Sequence, residues 1–250
     1  MNILLVGMYG HMGQQVVKLA KAGCRGASVI LGVDPGAAEG DALCARSFEE
    51  VADVAAVDCI VDFSHHSAAM ALVDFAVKHR KPLIVATTGH TPEEAALIRA
   101  AGEQIPVFFS ANMSLGIALL VELAKKAAAA MPDAEIEIIE KHHNRKLDAP
   151  SGTALMLSNA ICQVRPNAYP VCGRSGQGKR TPEEIGIHAI RMGNVVGEHE
   201  VHIGTDTETI TLTHKAHDRS LFAEGALVAA AFIGGKKAGL YTMRDMVSGK

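Results

Sequence analysis

The chain has 250 residues, a formal net charge of −3 and 48% hydrophobic residues. That length suits one large or two modest domains with ample material for a buried core. The near-balanced charge argues against nucleic acid or an anionic membrane as a partner. Five cysteines, at positions 24, 44, 59, 162 and 172, are odd in number and lack Cys-x-x-Cys spacing. No apolar run reaches membrane-spanning length, and the first strand carries no basic leader or cleavage site, so the expectation is a cytoplasmic protein with reduced thiols and no membrane contact.

The N-terminus runs from a strand-length apolar stretch, Ile3-Leu4-Leu5-Val6, straight into Gly7-Met8-Tyr9-Gly10-His11-Met12-Gly13. Helical periodicity follows, with Val16, Val17, Leu19 and Ala20 able to face a sheet. A second strand candidate, residues 29–33, ends in Asp34, twenty-one residues after Gly13 (34 − 13). Strand, glycine turn, helix, strand and terminal acid form the order of a dinucleotide-binding unit. Glycines let a pyrophosphate approach the backbone at a helix N-terminus, and the acid takes the ribose hydroxyls. The spacing is Gly-x-x-Gly-x-x-Gly, because Met8-Tyr9 stands where x-Gly is commoner. A plain βαβ unit with a tight turn is the alternative.

Strand and helix signals alternate through the first half: strand 57–63, helix 67–79, strand 82–86, then a helix from Thr91-Pro92-Glu93-Glu94 with a hydroxyl cap, N1 proline and first-turn acids. Strand 106–109 closes the series. This alternation predicts an α/β fold with a Rossmann-type parallel sheet. Two loops, Ala86-Thr87-Thr88-Gly89 and Ser110-Ala111-Asn112-Met113, follow strands of that sheet. Ligands in open α/β sheets lie at the carboxyl ends of strands, so small residues there can admit a nicotinamide ring, although both loops also fit ordinary strand-to-helix turns.

After Asn112 the pattern changes. An alanine-rich helix over about 115–130 precedes an alternating strand, 134–140. A helix-like run covers 153–163, and 173–180 is a glycine-rich basic loop, either a linker or a lid. From Ile185 onward the chain reads as antiparallel, with a hairpin of 201–204 and 208–214 about Thr205-Asp206-Thr207. A final helix over about 221–236 returns to the first domain. The second region is thus expected to be α+β with a mixed, largely antiparallel sheet.

Between strand and helix lies Glu140-Lys141-His142-His143-Asn144-Arg145-Lys146-Leu147-Asp148-Ala149-Pro150-Ser151-Gly152-Thr153-Ala154. Two imidazoles and a lysine stand beside a helix start that supplies unpaired N–H groups and two hydroxyls. Such a place suits a small carboxylate, with protons held close by. By itself the stretch also fits a solvated turn followed by an N-cap. Adjacent histidines without a nearby cysteine or His-x-x-x-His spacing argue against a metal. The histidines at 188, 199, 202, 214 and 217 are set aside as surface or core residues, and Arg219 reads as a hinge contact or a plain surface charge.

These residues together closely resemble the 4-hydroxy-tetrahydrodipicolinate reductases, also called dihydrodipicolinate reductases, of diaminopimelate and lysine biosynthesis. The resemblance spans essentially the whole chain and rests on residues 7–13, Ala86–Gly89, residues 110–114, residues 239–245 and above all Glu140–Ala154. It implies a dinucleotide-binding domain of residues 1–113 with 220–250, and a substrate-binding and oligomerisation domain of 114–219 in a homotetramer. The implied reaction is reduction of a cyclic dicarboxylate by NADH or NADPH with loss of water. His142 matches the family's proton donor/acceptor, Lys146 its second proton donor, and His143 a substrate-binding position. Lys146 also suits a carboxylate counter-ion, and Ser151, Gly152 and Thr153 offer donors to one carboxylate. The cofactor-binding set comprises Gly7, Met8, Tyr9, Gly10, His11, Met12, Gly13, Asp34 and both strand-end loops. Three departures matter. Pro35 follows Asp34 where a base would seat a 2′-phosphate, which predicts a preference for NADH unless Arg46 compensates. Ser64-His65-His66 replaces a Thr-x-Pro turn, and Met113 replaces an aromatic residue. Two rival readings stand: another two-domain oxidoreductase such as an aspartate dehydrogenase, and a non-catalytic NAD(P)H sensor.

Overall fold

A computed structural model describes residues 1–249. The chain opens with β1 (Asn2–Val6), α1 (His11–Lys21), β2 (Ser28–Val33), β3 (Cys44–Ala45), β4 (Cys59–Asp62), α2 (Ala69–Lys78), β5 (Leu83–Val85), α3 (Pro92–Ala101) and β6 (Pro106–Phe109). It continues through α4 (Leu115–Ala130), β7 (Glu135–His142), α5 (Gly152–Cys162), β8 (Tyr169–Cys172), β9 (Glu184–Arg191), β10 (Gly197–Gly204) and β11 (Thr209–Ala216). It ends with α6 (Ser220–Ile233), β12 (Gly239–Tyr241) and α7 (Met243–Ser248). Two compact units result: Met1–Ser114 with the chain from Ser220 onward, and Leu115–Arg219.

The first unit holds a seven-stranded sheet in the order β12-β6-β5-β4-β1-β2-β3, every pairing parallel. Ile3, Leu4 and Leu5 are fully buried, as a central strand covered on both faces requires. α1 turns Gly13, Val16 and Ala20 inward, and α6 packs against it. Thr91 and Glu94 close a reciprocal capping box with Pro92 in the first turn, which fixes where α3 begins. α6, the helix expected over about 221–236, belongs to the first unit. Two short strands, β3 and β12, extend the sheet at its edges; their two- and three-residue lengths leave no periodic signal in sequence.

The second unit is a five-stranded sheet, β11-β10-β7-β9-β8, with α4 and α5 on one face. Ile136, Ile138, Ile185, Ile187, Val201 and Ile203 meet Leu120, Ala124, Leu157 and Ile161 of the helices in one apolar cluster. The sheet is mixed, but residues from Ile185 onward do not all run antiparallel as expected: β9 lies parallel to both β7 and β8. Alternation of Ile185 and Ile187 satisfies either direction, so polarity is set by the connections. Parallel neighbours need a return across the strand length, and residues 173–183 make that return between β8 and β9. Two of this loop's arginines are tied down: Arg174 pairs with Glu184 at 2.8 Å and Arg180 with Glu135 at 3.1 Å. β7 also runs two residues past its expected end, because Lys141 and His142 still pair with Glu198 and Arg191.

Gly225 of α6 opposes two effects. Alanine there would improve helix propensity by about 1 kcal/mol, yet its Cβ would fall 1.7 Å from Met113 O. Backbone cannot yield as a flexible side chain can, and overpacking costs roughly 1–3 kcal/mol. Gly225→Ala is expected to lower the urea unfolding midpoint; a raised midpoint would show that the helix does not approach Met113 closely.

Candidate active site

The first unit is organised around the glycine turn. Gly7 has φ +78° and donates its N–H to Val33 O at 2.8 Å. A Cβ on Gly7 would stand 2.6 Å from Phe63 O, and one on Gly13 would stand 2.1 Å from Gly7 O. Both glycines are demanded by close backbone approach. Gly10 is the N-cap of α1 and provides no side-chain cap, so the first N–H groups of the helix stay available to an anion. Asp34 Oδ2 accepts from Tyr9 N–H at 2.9 Å and Oδ1 from Gly36 N–H at 2.8 Å, which locks the acid to the turn.

Two cavities flank this turn. One, of about 490 Å³, is lined by Gly7, Gly10, Asp34, Arg46 and Ser67. The other, of about 460 Å³, is lined by Met12, Ala86, Thr87, Thr88, Ala111 and Met113. Phe63, Ser64 and His65 form the wall common to both. Buried Asp62 pins this wall by accepting from Ser64 Oγ at 2.5 Å and Ser64 N–H at 3.0 Å. In place of the Thr-x-Pro turn, His65 caps a short turn at Ser67, and His66 Nδ1 pairs with Glu94 at 3.0 Å.

Not every residue of the expected cofactor set presents its side chain. Met8 is buried and packs beneath Gly32. Tyr9 turns its hydroxyl to Asp41, a hydrogen bond that pushes the phenol up to about 12. His11 is exposed at the start of α1, and Gly89 ends its loop with φ +83°. Ser110 Oγ donates to Asn112 O at 2.8 Å, and Asn112 Oδ1 accepts from Ser114 N–H at 2.9 Å, so these two side chains shape the turn itself. Met113 is buried, with its backbone closely approached by Gly225.

The second unit centres on Glu140, which is fully buried. Its Oε2 accepts from His142 Nδ1 at 2.6 Å and from Arg191 Nη1 at 2.7 Å. Its Oε1 accepts from Arg191 Nη2 at 2.7 Å and from Ser151 N–H at 3.0 Å. Burial pushes this carboxyl up, but the hydrogen bonds from His142, Arg191 and Ser151 outweigh it and hold Glu140 at about 2. Ser151 is the N-cap of α5, its Oγ accepting from Ala154 N–H at 3.3 Å and meeting His199 Nε2 at 3.1 Å. The His199 ring stands edge-on to His142, centroids 5.2 Å apart. Burial, with the neighbouring His142 adding to it, pushes His199 down to about 3.

His143 Nε2 lies 3.2 Å from Arg219 Nη2, and loss of solvent with the charges of Arg145 and Arg219 depresses its pKa. Lys146 pairs with Asp148 at 2.9 Å. A Cβ on Gly152 would meet nothing within 4 Å, so the approach to the α5 N-terminus past this residue is open. His142, His143, Ser151 and Gly152 thus stand at the end of β7 and the start of α5, with Thr153 in the first turn.

Sequence reading left three residues of this constellation without a role. Glu140 heads the 140–154 segment. His199 shares inward parity with Val201 and Ile203 along β10, a signal that was present. Arg191 carried no local signal; its pairing with His142 comes from the β7–β9 register.

Fold and site define the class: a Rossmann-type oxidoreductase carrying a separate α+β unit that gathers imidazoles, guanidinium groups and an open helix N-terminus. Comparison with known proteins narrows it. The family models for the N-terminus and C-terminus of dihydrodipicolinate reductase match residues 1–113 and 116–247. The 4-hydroxy-tetrahydrodipicolinate reductase of Caldanaerobacter subterraneus subsp. tengcongensis is 46% identical, covering 98% of each chain. That of Alkaliphilus oremlandii is 42% identical over 99% of each. A dipicolinate-bound dihydrodipicolinate reductase from Paenisporosarcina sp. TG-14 shares the fold at TM-score 0.81 and 22% identity, covering 96% of this chain and 97% of that one. The chain belongs to the dihydrodipicolinate reductase family.

A buried histidine that stays neutral favours the folded state above its unfolded pKa and loses that contribution as pH falls toward its folded value. For His199 the window runs from its ordinary 6.5 down to about 3. Denaturant unfolding followed across this window should show stability falling with pH, and His199→Gln should flatten the slope. An identical slope in the variant would mean that His199 is not held neutral.

Proposed function

We propose that the first unit holds NAD(P)H and the second binds 4-hydroxy-tetrahydrodipicolinate, which the chain reduces to tetrahydrodipicolinate with loss of water. The observation that carries this reading is the convergence of His142, the His143–Arg219 pair and the open N-terminus of α5 within one unit. A dianion finds charge-assisted donors there, whereas a neutral cyclic imine would leave them unpaired.

The residues fit the cofactor. The glycine turn leaves room that side chains would fill, and the cavities on either side of it suit two nucleoside halves. When bound, NAD(P)H supplies a hydride to an unsaturated ring carbon. Electron density then moves toward the ring nitrogen, so an acid must stand by. His142 fills that role, with Lys146 as a second donor or as counter-ion to a carboxylate. His143, Gly152 and Thr153 orient the carboxylates, while Ser151, expected to bind them, has its N–H and hydroxyl engaged by Glu140, Ala154 and His199 and instead holds the start of α5 in place.

Asp34 faces the adenosine-side cavity and accepts ribose hydroxyls while repelling a 2′-phosphate, which supports a preference for NADH. Arg46 lines the same cavity, with its Nε donating to Ala37 O at 3.1 Å, and is the base that lets NADPH serve. A homotetramer is supported by the sheet face that α4 and α5 leave uncovered. There Lys141 pairs with Glu200 at 3.2 Å and His188 with Glu137 at 2.8 Å. A cytoplasmic location is supported by five free thiols. Among the described residues no helix is long and apolar enough to cross a membrane.

Pyruvate and aspartate semialdehyde, combined by a dihydrodipicolinate synthase, generate the unstable substrate in place. Oxidation of both cofactors should then depend on the enzyme and run faster with NADH; no oxidation while NADH still binds would overturn the assignment of substrate. In the same assay Lys146→Ala is expected to lower kcat on the order of 10²-fold or more with little change in NADH binding. Unchanged turnover would remove Lys146 from proton transfer. Thr153→Val should chiefly raise KM for the substrate, and a defect confined to the cofactor would contradict its place at the carboxylate.

A further inference from the structure

We propose that Glu140 is a positioning residue that fixes the tautomer of His142, committing Nδ1–H to the carboxylate so that only Nε2 exchanges protons with substrate. The inference rests on the placement of His142 in the reaction above and adds which atom works and what selects it.

Four hydrogen bonds fill the Glu140 carboxylate, two on each oxygen. The Arg191 guanidinium and the Ser151 backbone N–H are fixed donors, with no acceptor state of their own. Both oxygens must therefore remain acceptors, and the carboxylate must remain ionised. The fourth partner, His142 Nδ1, is the only one that can be donor or acceptor; facing an ionised oxygen at 2.6 Å, it has to be the donor. A neutral imidazole with Nδ1 protonated has Nε2 as its base, and its imidazolium has Nε2–H as its acid. Glu140, saturated by these donors, cannot take the proton itself.

The surroundings agree with this division. A Cβ at residue 197 would stand 3.1 Å from His142 Nε2, so Gly197 of β10 keeps the working nitrogen clear of a side chain. The ring's other titratable and charged neighbours are His199 on β10, which is bonded to Ser151, and Arg191, its register partner on β9; Lys146, in the loop that follows, acts on His199 and His143. Two lie beyond them: His143, next along the chain, and His214 on β11. Among the described residues, Glu140 is the anion that contacts Nδ1.

Glu140→Gln separates positioning from simple support. With its NH₂ in the Oε1 place, the amide would oppose two fixed donors, Ser151 N–H and Arg191. With its NH₂ in the Oε2 place, it would oppose Arg191 and face His142 Nδ1, a conflict the imidazole relieves by moving its proton to Nε2. The variant thus favours the opposite tautomer while keeping size and burial nearly constant. A merely structural role would not move the tautomer.

The test is ¹⁵N NMR of histidine-labelled protein at a pH where the imidazole is neutral, with the His142 signals assigned by their loss in His142→Gln. The wild-type spectrum should show protonated Nδ1 and unprotonated Nε2; protonated Nε2 overturns the proposal and needs no Glu140 variant to fold. Glu140→Gln should reverse the pattern and lower kcat on the order of 10²-fold or more, with substrate KM little changed. Glu140→Asp, which keeps the anion, should retain the wild-type tautomer. A Glu140→Gln protein with unaltered tautomer and kcat refutes the role. Wild type that shows the Nδ1–H form yet fails to oxidise NADH in the coupled assay would instead refute the reductase assignment, so the two failures read differently.

Discussion

The second unit depends on one buried carboxylate. An ion like Glu140, with no solvent exposure, costs several kcal/mol to bury unless its partners are complete, and removing a partner from such a pair is strongly destabilising. Its partners come from three places: His142 two residues along β7, Arg191 on β9 and the backbone of Ser151 at the head of α5. Satisfying the charge therefore fixes the strand register, the start of the helix and the orientation of an imidazole together. The 140–154 segment reads as one piece because each part of it answers to the same oxygen atoms.

The first unit is organised by a different constraint, the distance of closest approach between backbones. Gly7 and Gly13 permit β1, α1 and the Phe63–Ser64 stretch to meet where no side chain fits. Asp34, bonded to the N–H of Tyr9, ties the second strand's end to the same turn. At the turn itself the surfaces are backbone and small residues, with Asp34, Arg46 and Glu49 on the wall of the adjoining cavity. The second unit offers the contrary, a dense set of cations, imidazoles and N–H groups. The two units thus differ in chemical character in what each is made of.

Chain order made much of the architecture legible. The alternation of strand and helix and the Thr91-Pro92-Glu93-Glu94 start of α3 are recorded in residues close in sequence. So is the N-cap at Ser151. The direction of β9 was not legible, since Ile185 and Ile187 alternate identically in a parallel or antiparallel neighbour. His199 shares its parity with Val201, but by sequence it reads only as a surface or core histidine, and nothing local says what it meets. Asn112 and Met8 illustrate the reverse case, residues at expected positions whose side chains serve the turn or the core.

The sequence by itself determined the two-part organisation, the glycine turn, the acid that follows the second strand, and the cationic helix start after the His-His pair. Each is set by propensity, capping or spacing over a few residues, which a linear pattern records. Tertiary structure alone decided that Arg191 reaches Glu140, that His199 backs Ser151, and that Arg46 lines the cavity of Asp34. Those contacts join residues between 12 and 51 positions apart, and they depend on strand register and connection paths that no local window contains. A buried charge finds its partner through the fold, so the residue that completes Glu140 could be named only once β9 was seen to lie beside β7.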